Sequence, residues 1–185
     1  MAKLITFNFV TLDGFFKGPN EDISWHQHGQ EEESDYAAEG AGSGSILLFG
    51  RKTYEQMASF WPTPTALEMM PEIAEGMNKS QKIVFSNTLE NVDWENTTIM
   101  RGNIFDQIRA IKESSKNDLT ILGSGSIVSQ FAEQGLVDEF QLMIDPIAIG
   151  EGTTLFAGVS HKLNLKLIGS RTFKSGSVLL TYSPA

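Results

Sequence analysis

The sequence contains no cysteine. This absence excludes disulfide bonds, thiolate metal ligands and a cysteine nucleophile, and it is typical of a cytoplasmic protein. The chain also lacks an excess of positive charge, because 14 Lys and Arg stand against 23 Asp and Glu, for a net charge of −9. Such a balance disfavours nucleic-acid binding, which needs basic side chains to neutralise phosphates. A net negative charge is still compatible with a local basic pocket for a small phosphorylated ligand.

Long hydrophobic runs are absent as well, and none approaches the length of a membrane-spanning helix. The apolar segment at 3–10 is short and is soon followed by the charged residues Asp13 and Lys17. We therefore interpret it as a first β-strand and not as a signal peptide. With 185 residues, 41% of them hydrophobic, the chain is typical of a globular protein, and we expect one domain over residues 1–185.

Predicted strands and helices alternate along the chain. Short apolar runs that are typical of buried strands occur at residues 46–49, 82–85, 97–100, 118–122 and 140–144. Apolar residues with helical spacing lie between them, including a helix from Thr65 to about Asn78 and another capped by Asn103. The segments 163–173 and 177–182 predict a hairpin. This order indicates an α/β fold with a mostly parallel sheet, flanking helices and a C-terminal antiparallel hairpin.

Three of the predicted strands end in residues suited to an anion. These ends are Gly50-Arg51-Lys52-Thr53, Ser86-Asn87 and Gly123-Ser124-Gly125-Ser126. The carboxyl ends of parallel strands lie at one edge of a sheet, where ligands bind. Helix N-termini offer free N–H groups there, and glycine lets the backbone approach closely. The pattern favours a pyrophosphate site over plain surface turns, although the two commonest nucleotide-binding glycine motifs are absent.

Two further segments carry candidate ligand-binding residues. Phe15 and Phe16 lie in a glycine-rich loop, where they either close the edge of the core or line a pocket for a flat ring. His26 and His28 lie close to carboxylates, but the sequence shows neither a third ligand nor zinc-helix spacing. We therefore interpret both histidines as part of a solvated loop and predict no metal site.

Taken in order, the motifs resemble those of the dihydrofolate reductase fold, and more closely the branch that includes the reductase domain of bacterial riboflavin biosynthesis. The segments that carry the resemblance are Thr11-Leu12-Asp13-Gly14-Phe15, Leu48-Phe49-Gly50-Arg51-Lys52-Thr53-Tyr54-Glu55, Val84-Phe85-Ser86-Asn87, Ile121-Leu122-Gly123-Ser124-Gly125-Ser126, Asp138-Glu139-Phe140 through Asp145-Pro146, and Gly150-Glu151-Gly152 to Leu155-Phe156. They follow the family order and cover nearly the whole chain. The resemblance implies a three-layer dihydrofolate reductase-like domain.

The resemblance also implies NADPH as the cofactor. Three segments would hold it: Gly50-Arg51-Lys52-Thr53 at phosphate, Ser86-Asn87 near the adenosine ribose and its 2′-phosphate, and Gly123-Ser124-Gly125-Ser126-Ile127 at the pyrophosphate and nicotinamide. A fourth group would border the nicotinamide and the substrate, namely Asp13, Phe15, Phe16 and Lys17.

The proton donor is the point of departure from the family pattern. Dihydrofolate reductases place a carboxylate on the first helix, facing the pterin. The corresponding segment here holds Glu31, Glu32, Glu33 and Asp35, and spacing does not select one of them. Asp35 is our candidate for the catalytic acid because it lies well inside the predicted helix. A solvated acidic face is the alternative interpretation.

The resemblance implies an NADPH-dependent reductase that transfers hydride to a flat nitrogen heterocycle, similar to the 5-amino-6-(5-phosphoribosylamino)uracil reductase of riboflavin biosynthesis. Two alternatives are an NADP(H)-binding protein without catalysis and a pterin or dihydrofolate reductase. The expected partner is a small heterocyclic substrate, with no nucleic acid and no membrane. The resemblance also implies a homodimer, and the apolar strands at 163–182 would allow pairing between subunits at a sheet edge.

Overall fold

The computed structural model describes residues 1–26 and 31–185. The strands are β1 (Leu4–Thr11), β2 (Phe15–Lys17), β3 (Ile46–Gly50), β4 (Lys82–Phe85), β5 (Thr97–Met100), β6 (Leu119–Leu122), β7 (Glu139–Asp145), β8 (Thr153–Thr154), β9 (Leu165–Thr172) and β10 (Val178–Pro184). The helices are α1 (Glu31–Gly42), α2 (Arg51–Phe60), α3 (Pro64–Met69), α4 (Pro71–Lys79), α5 (Ile104–Ser114) and α6 (Gly125–Glu133). Within the described ranges, no helix is long and apolar enough to cross a bilayer.

Eight strands form one sheet in the order β5-β4-β3-β6-β1-β7-β10-β9. The strands from β5 to β7 pair in parallel, while β10 runs antiparallel to both β7 and β9. In the centre of the sheet, β1 places Leu4 opposite Leu119 of β6 and Ile5 opposite Glu139 of β7. The predicted α/β architecture, mostly parallel with a C-terminal antiparallel hairpin, is confirmed. A separate two-stranded sheet joins β2 to β8.

Helices cover both faces of the sheet, which gives the fold its three layers. Successive side chains of a strand point to opposite faces. Leu48 of β3 belongs to one core cluster with Ile108 of α5 and Phe131 of α6, whereas Phe49 belongs to a second cluster with Tyr54 of α2. A strand that is buried on both faces requires a continuous apolar run, and β3 has one.

The predicted helix over 65–78 is wrong in one respect, because the segment forms two helices. Met70 has φ −141° and ψ 64°, which ends α3, and Pro71 begins α4. Proline disfavours helical geometry in the preceding residue and has no N–H to continue the hydrogen-bond ladder. The N-cap of α3 is Thr63, whose hydroxyl accepts the Ala66 N–H at 3.2 Å.

Lys82 is a charged side chain within a buried strand, and it is only 1% exposed. Its Nζ donates hydrogen bonds to three backbone carbonyls at the end of α4, those of Met77 at 2.8 Å, Asn78 at 3.0 Å and Ser80 at 2.7 Å. The ammonium also lies 4.5 Å from the centre of the Trp94 ring. Burial lowers the pKa of Lys82 to about 8, and nearby Glu95 opposes that change.

We expect Lys82 to make the protein more stable as the pH rises above about 8. Between the folded pKa of about 8 and the ordinary value of 10.5, the unfolded chain binds more protons at this position than the folded protein. Loss of that proton therefore favours the folded state. Urea unfolding of the wild type and of Lys82→Met, repeated at several pH values between these two pKa values, measures the free energy of unfolding of each protein. The free energy of unfolding of the wild type should rise relative to that of the variant, and a constant or falling difference would contradict the assignment.

Candidate functional site

A cleft of about 1040 Å³ lies between the sheet and helices α1 and α2, and it reaches the carboxyl ends of β3 and β6. Its volume is at the upper end of the range for small-molecule sites, roughly 300–1,000 Å³. Residues from β1, α1, α2, α6 and the β2–β8 sheet contribute to its lining. The cleft therefore has room for an extended ligand that touches several elements at once.

Two helix N-termini meet at one end of this cleft. β3 and β6 are adjacent parallel strands, so α2 and α6 begin side by side, as the sequence predicts. The Gly50 N–H donates to the Ser124 hydroxyl at 2.8 Å and links the two helix starts. A Cβ on Gly50 would lie 3.3 Å from Ile127, and one on Gly123 would lie 3.2 Å from Thr53. Gly123 also has φ +59°, a left-handed conformation that favours glycine.

Three cations surround these helix starts, and each has a carboxylate partner. Arg51 Nη1 donates to both oxygens of Glu55, at 2.9 and 3.0 Å. Lys17 and Lys52 share Glu21, and the Lys52 Nζ lies 3.3 Å from its Oε1. The hydrogen bond from Lys17, supported by Lys52, lowers the pKa of Glu21. A carboxylate thus already lies between two cations beside the paired helix starts.

Phe16 and Lys17 line the cleft next to α6. The Phe16 ring packs so closely on Gly125 that a Cβ there would lie 2.7 Å from its Cζ. Pairing of β2 with β8 holds this segment in position. These two predicted substrate residues therefore lie beside the start of α6, which the sequence motifs predict as a cofactor-binding segment.

Asp13 and Phe15 are not among the cleft-lining residues of the described chain. The Asp13 carboxylate accepts the Thr11 hydroxyl at 2.5 Å and the backbone N–H groups of Ile149 at 3.1 Å and Gly150 at 2.8 Å. The hydrogen bonds from Thr11 and then Gly150 lower the pKa of Asp13. Asp13 thus ties two loops together, which is a structural role.

Ser86, Asn87 and Ile127 also lie outside the described lining of the cleft. The Ser86 hydroxyl accepts the N–H groups of Thr88 at 3.2 Å and Leu89 at 2.9 Å and so forms the turn after β4. Asn87 is exposed. Ile127 is 6% exposed and packs in the core. Of the predicted cofactor residues, those at the starts of α2 and α6 reach the cleft.

The acidic residues of α1 divide between two faces of the helix. Asp35 is exposed and borders a shallow depression with Glu72 and Glu75 of α4. The structure therefore does not bring Asp35 to the cleft. Glu33 does line the cleft. Its Oε1 accepts the Ser175 hydroxyl, and its Oε2 is buried without a hydrogen-bond partner in the described chain.

Helical periodicity explains this division. Residues three or four positions apart lie on the same face of a helix. The cleft-lining set on α1 includes Glu33, Tyr36, Ala37 and Gly40, which have this spacing, whereas Asp35 belongs to the set that faces α4. The periodicity is visible in the sequence, but it does not reveal which face meets the cleft.

His26 lines the cleft and forms a buried pair with Asp145. The His26 Nδ1 is 2.5 Å from the Asp145 Oδ2, and the two side chains are 9% and 7% exposed. The imidazole packs against Phe9 with 3.7 Å between ring centres, and the Ser177 hydroxyl donates to the other oxygen of Asp145 at 3.3 Å. The predicted solvated loop is therefore wrong for His26, and His28 lies outside the described residues. No group of three metal-ligating side chains occurs in the described chain.

Comparison with known proteins identifies the family. The chain matches the RibD C-terminal domain family over residues 2–179. The uncharacterised protein YyaP of Bacillus subtilis (strain 168) is 31% identical over 174 residues, which cover 94% of this chain and 90% of YyaP. The resemblance that the sequence motifs indicate is thereby confirmed.

Solved structures agree on the fold. A protein from Shewanella sp. PV-4, provisionally assigned to riboflavin biosynthesis, superposes with a TM-score of 0.75 at 21% identity and covers 100% of this chain and 99% of its own. Dihydrofolate reductase from Enterococcus faecalis, solved with NADP(H) and RAB-propyl, gives a TM-score of 0.67 at 15% identity. The match covers 98% of this chain and 96% of that enzyme's chain. This chain belongs to the RibD C-terminal domain family, a reductase-like family with the dihydrofolate reductase fold.

Proposed function

We propose that the protein is an NADPH-dependent reductase that transfers hydride to a flat nitrogen heterocycle, similar to 5-amino-6-(5-phosphoribosylamino)uracil reductase. The observation that carries the proposal is the pair of helix N-termini that meet beside Arg51 and Lys52 at one end of a large cleft. Family membership supports a reductase, and the E. faecalis enzyme with the same fold was solved with NADP(H).

The residues at these helix starts fit a pyrophosphate. The lack of a Cβ at Gly50 and Gly123 lets α2 and α6 begin close together, and the N-terminus of a helix offers free N–H groups to a phosphate. Arg51, Lys52 and Lys17 supply positive charge at the same point. We place the adenosine on the β4 side, near Ser86-Asn87, and the nicotinamide on the β1 side, and the sheet order β4-β3-β6-β1 is compatible with this placement.

The other end of the cleft suits a flat heterocycle. Phe7 and Phe9 line it from the sheet, and Glu33 and Tyr36 line it from α1. We propose that the Glu33 carboxylate accepts hydrogen bonds from ring N–H groups of the substrate, a role that Asp35 cannot fill from its position facing α4.

The proton for the reaction is assigned to His26 in this proposal. The contact between the His26 Nδ1 and the Asp145 Oδ2 holds the imidazole in place at the cleft. Bound NADPH supplies the hydride, while the chain binds and orients both molecules and holds the proton.

Thermal unfolding with NADPH and with NADH tests cofactor binding, because a ligand that binds only the folded state raises its stability. We expect a larger shift with NADPH. Loss of absorbance from NADPH in the presence of pyrimidine, pterin or quinonoid substrates then tests the chemistry. Binding without consumption of NADPH by any of these rings would favour the NADP(H)-binding alternative, and no shift with either nucleotide would overturn the proposal.

Glu21→Gln is expected to tighten NADPH binding by about threefold to tenfold. The Glu21 carboxylate neutralises Lys17 and Lys52 where we place a phosphate, and exposed ion pairs of this kind contribute up to about 1 kcal/mol. Glutamine keeps the shape without the charge. A fluorescence titration with NADPH measures the change. Glu75→Gln is the matched control, because Glu75 pairs with Lys79 away from the cleft, and weaker binding by Glu21→Gln would contradict the placement.

We also propose that the protein is a homodimer formed through β9. This strand is the last in the sheet order, and it exposes Leu167 and Ile168, at 50% and 51%. An open apolar edge strand is suited to pairing with a second copy. Analytical ultracentrifugation would show a species of twice the chain mass, and a monomer at every concentration would refute the proposal.

A further inference from the structure

One polar side chain of β1 is buried with an incomplete set of hydrogen bonds. Asn8 is 2% exposed, and its Nδ2 donates to the Gly123 carbonyl at 3.1 Å. Its Oδ1 is buried and accepts no hydrogen bond from the part of the chain that the structure describes. Asn8 also lines the cleft. A residue that lines the proposed cofactor site thus carries a buried, unsatisfied acceptor.

The chemistry of the partner fixes the orientation of the Asn8 amide. A carbonyl oxygen accepts hydrogen bonds and cannot donate them, so the amide nitrogen must face the Gly123 carbonyl. The amide oxygen is then the atom without a partner. Buried acceptors in native proteins almost always have a donor, and the exceptions occur where a ligand, ion or water completes the set. The position of Asn8 at the cleft points to a ligand that donates.

Strand order indicates which part of a dinucleotide would meet Asn8. The two helix starts follow β3 and β6, and β1 is the next strand beyond β6. Gly123, whose carbonyl accepts the hydrogen bond from Asn8, is part of the turn that begins α6. A cofactor with its pyrophosphate at the helix starts and its adenosine toward β4 would therefore place its nicotinamide over β1, beside Asn8.

We propose that the Asn8 Oδ1 accepts a hydrogen bond from the carboxamide NH₂ of the nicotinamide ring. This inference rests on the proposed function and deepens it, because it names a residue that selects and orients the ring. The carboxamide carries two N–H donors in both oxidation states of the cofactor. A neutral acceptor in a buried position is well matched to it, and a ring that lacks this donor would leave Oδ1 unsatisfied.

The wild-type protein alone gives the first test. Isothermal titration calorimetry compares NADP⁺ with its 3-acetylpyridine analogue, in which a methyl group replaces the carboxamide NH₂. We expect the analogue to bind about tenfold more weakly, as is typical when a buried polar group is left unpaired. Equal affinities would overturn the inference, while absence of any binding by either nucleotide would overturn the proposed function itself.

Asn8→Leu gives the second test, because leucine has a similar size and accepts no hydrogen bond. NADP⁺ should bind the variant about tenfold more weakly, and the discrimination against the 3-acetylpyridine analogue should disappear. The affinity for 2′-phospho-ADP-ribose, which has no nicotinamide, should fall much less than that for NADP⁺, since only the hydrogen bond to the Gly123 carbonyl is lost there, and binding of this ligand also reports that the variant is folded. An equal loss for both ligands, or no loss for NADP⁺, would overturn the inference.

Thr6→Val is the matched control on the same strand. Thr6 precedes Asn8 by two residues, so both side chains point to the same face. Thr6 is 0% exposed, and its hydroxyl also lacks a partner in the described chain. It is not among the described cleft-lining residues. All three nucleotide affinities should therefore match those of the wild type, and a loss as large as that of Asn8→Leu would attribute the effect to strand packing and overturn the inference.

Discussion

Replacing both Arg51 and Lys52 with alanine is expected to weaken NADPH binding by about a hundredfold. The two residues open α2 and line the cleft beside its N–H groups. Hydrogen bonds to charged groups contribute roughly 1.5–3 kcal/mol each, and about 1.4 kcal/mol corresponds to a factor of ten. Each single variant should therefore lose about tenfold. Fluorescence titration at low ionic strength measures the loss, which should shrink as salt is added.

A matched double variant separates local contacts from overall charge. Lys79→Ala with Arg109→Ala removes the same number of cations, and both residues form exposed ion pairs outside the described lining of the cleft. We expect this variant to bind NADPH with nearly the affinity of the wild type. If the Arg51 and Lys52 double variant also kept that affinity, the phosphate would have to bind elsewhere.

Gly76→Val is expected to cause the largest loss of stability among the substitutions considered, about 3 kcal/mol, at the upper end of the range for overpacking. A Cβ on Gly76 would lie 2.8 Å from the Cβ, the carbonyl carbon and the carbonyl oxygen of Ala41. Two of these atoms are backbone, so α1 and α4 would have to move apart. Because α1 carries Glu33 and Tyr36, which line the cleft, the substitution should also disturb substrate binding.

Gly40→Ala is the natural control on α1 itself. Within the described residues, no atom lies within 4 Å of a Cβ built at this position, and alanine favours a helix over glycine by roughly 0.5–1 kcal/mol. Urea unfolding should therefore show a small gain in the free energy of unfolding for Gly40→Ala and a large loss for Gly76→Val. If Gly76→Val unfolded at the same urea concentration as the wild type, α1 and α4 would be able to move apart without loss of stability, and the prediction would be wrong.

The parts of the fold that depend on local pattern could be predicted from the sequence. The apolar runs that became β3, β4 and β6 placed three strand ends at one edge, and the observed pairing confirms that placement. The predicted N-cap at Asn103 is also confirmed, because its side chain accepts the Asp106 N–H at 3.3 Å. Both signals act over a few residues, so the sequence contains them directly.

The substrate end of the cleft could not be predicted because it depends on contacts between distant residues. His26 and Asp145 are 119 positions apart, and no local pattern connects them. The acids of α1 lie on a helix that is polar on several sides, so the packing of α1 against α4 and the sheet decides that Glu33 faces the cleft. Asn8 did carry a signal, since it is an amide at a buried position of a mostly apolar strand.

The central place of β1 also sets the order in which the protein can assemble. The ribosome makes β1 long before its two neighbours, β6 and β7, which begin at Leu119 and Glu139. Until those strands emerge, β1 has no backbone partners, and apolar residues such as Leu4 and Val10 have no core to enter. Contacts of such high sequence separation slow folding and leave strand edges open to aggregation. We therefore expect the sheet to close late in synthesis, when β6 and β7 reach β1, and the nascent chain to depend on chaperone protection until then.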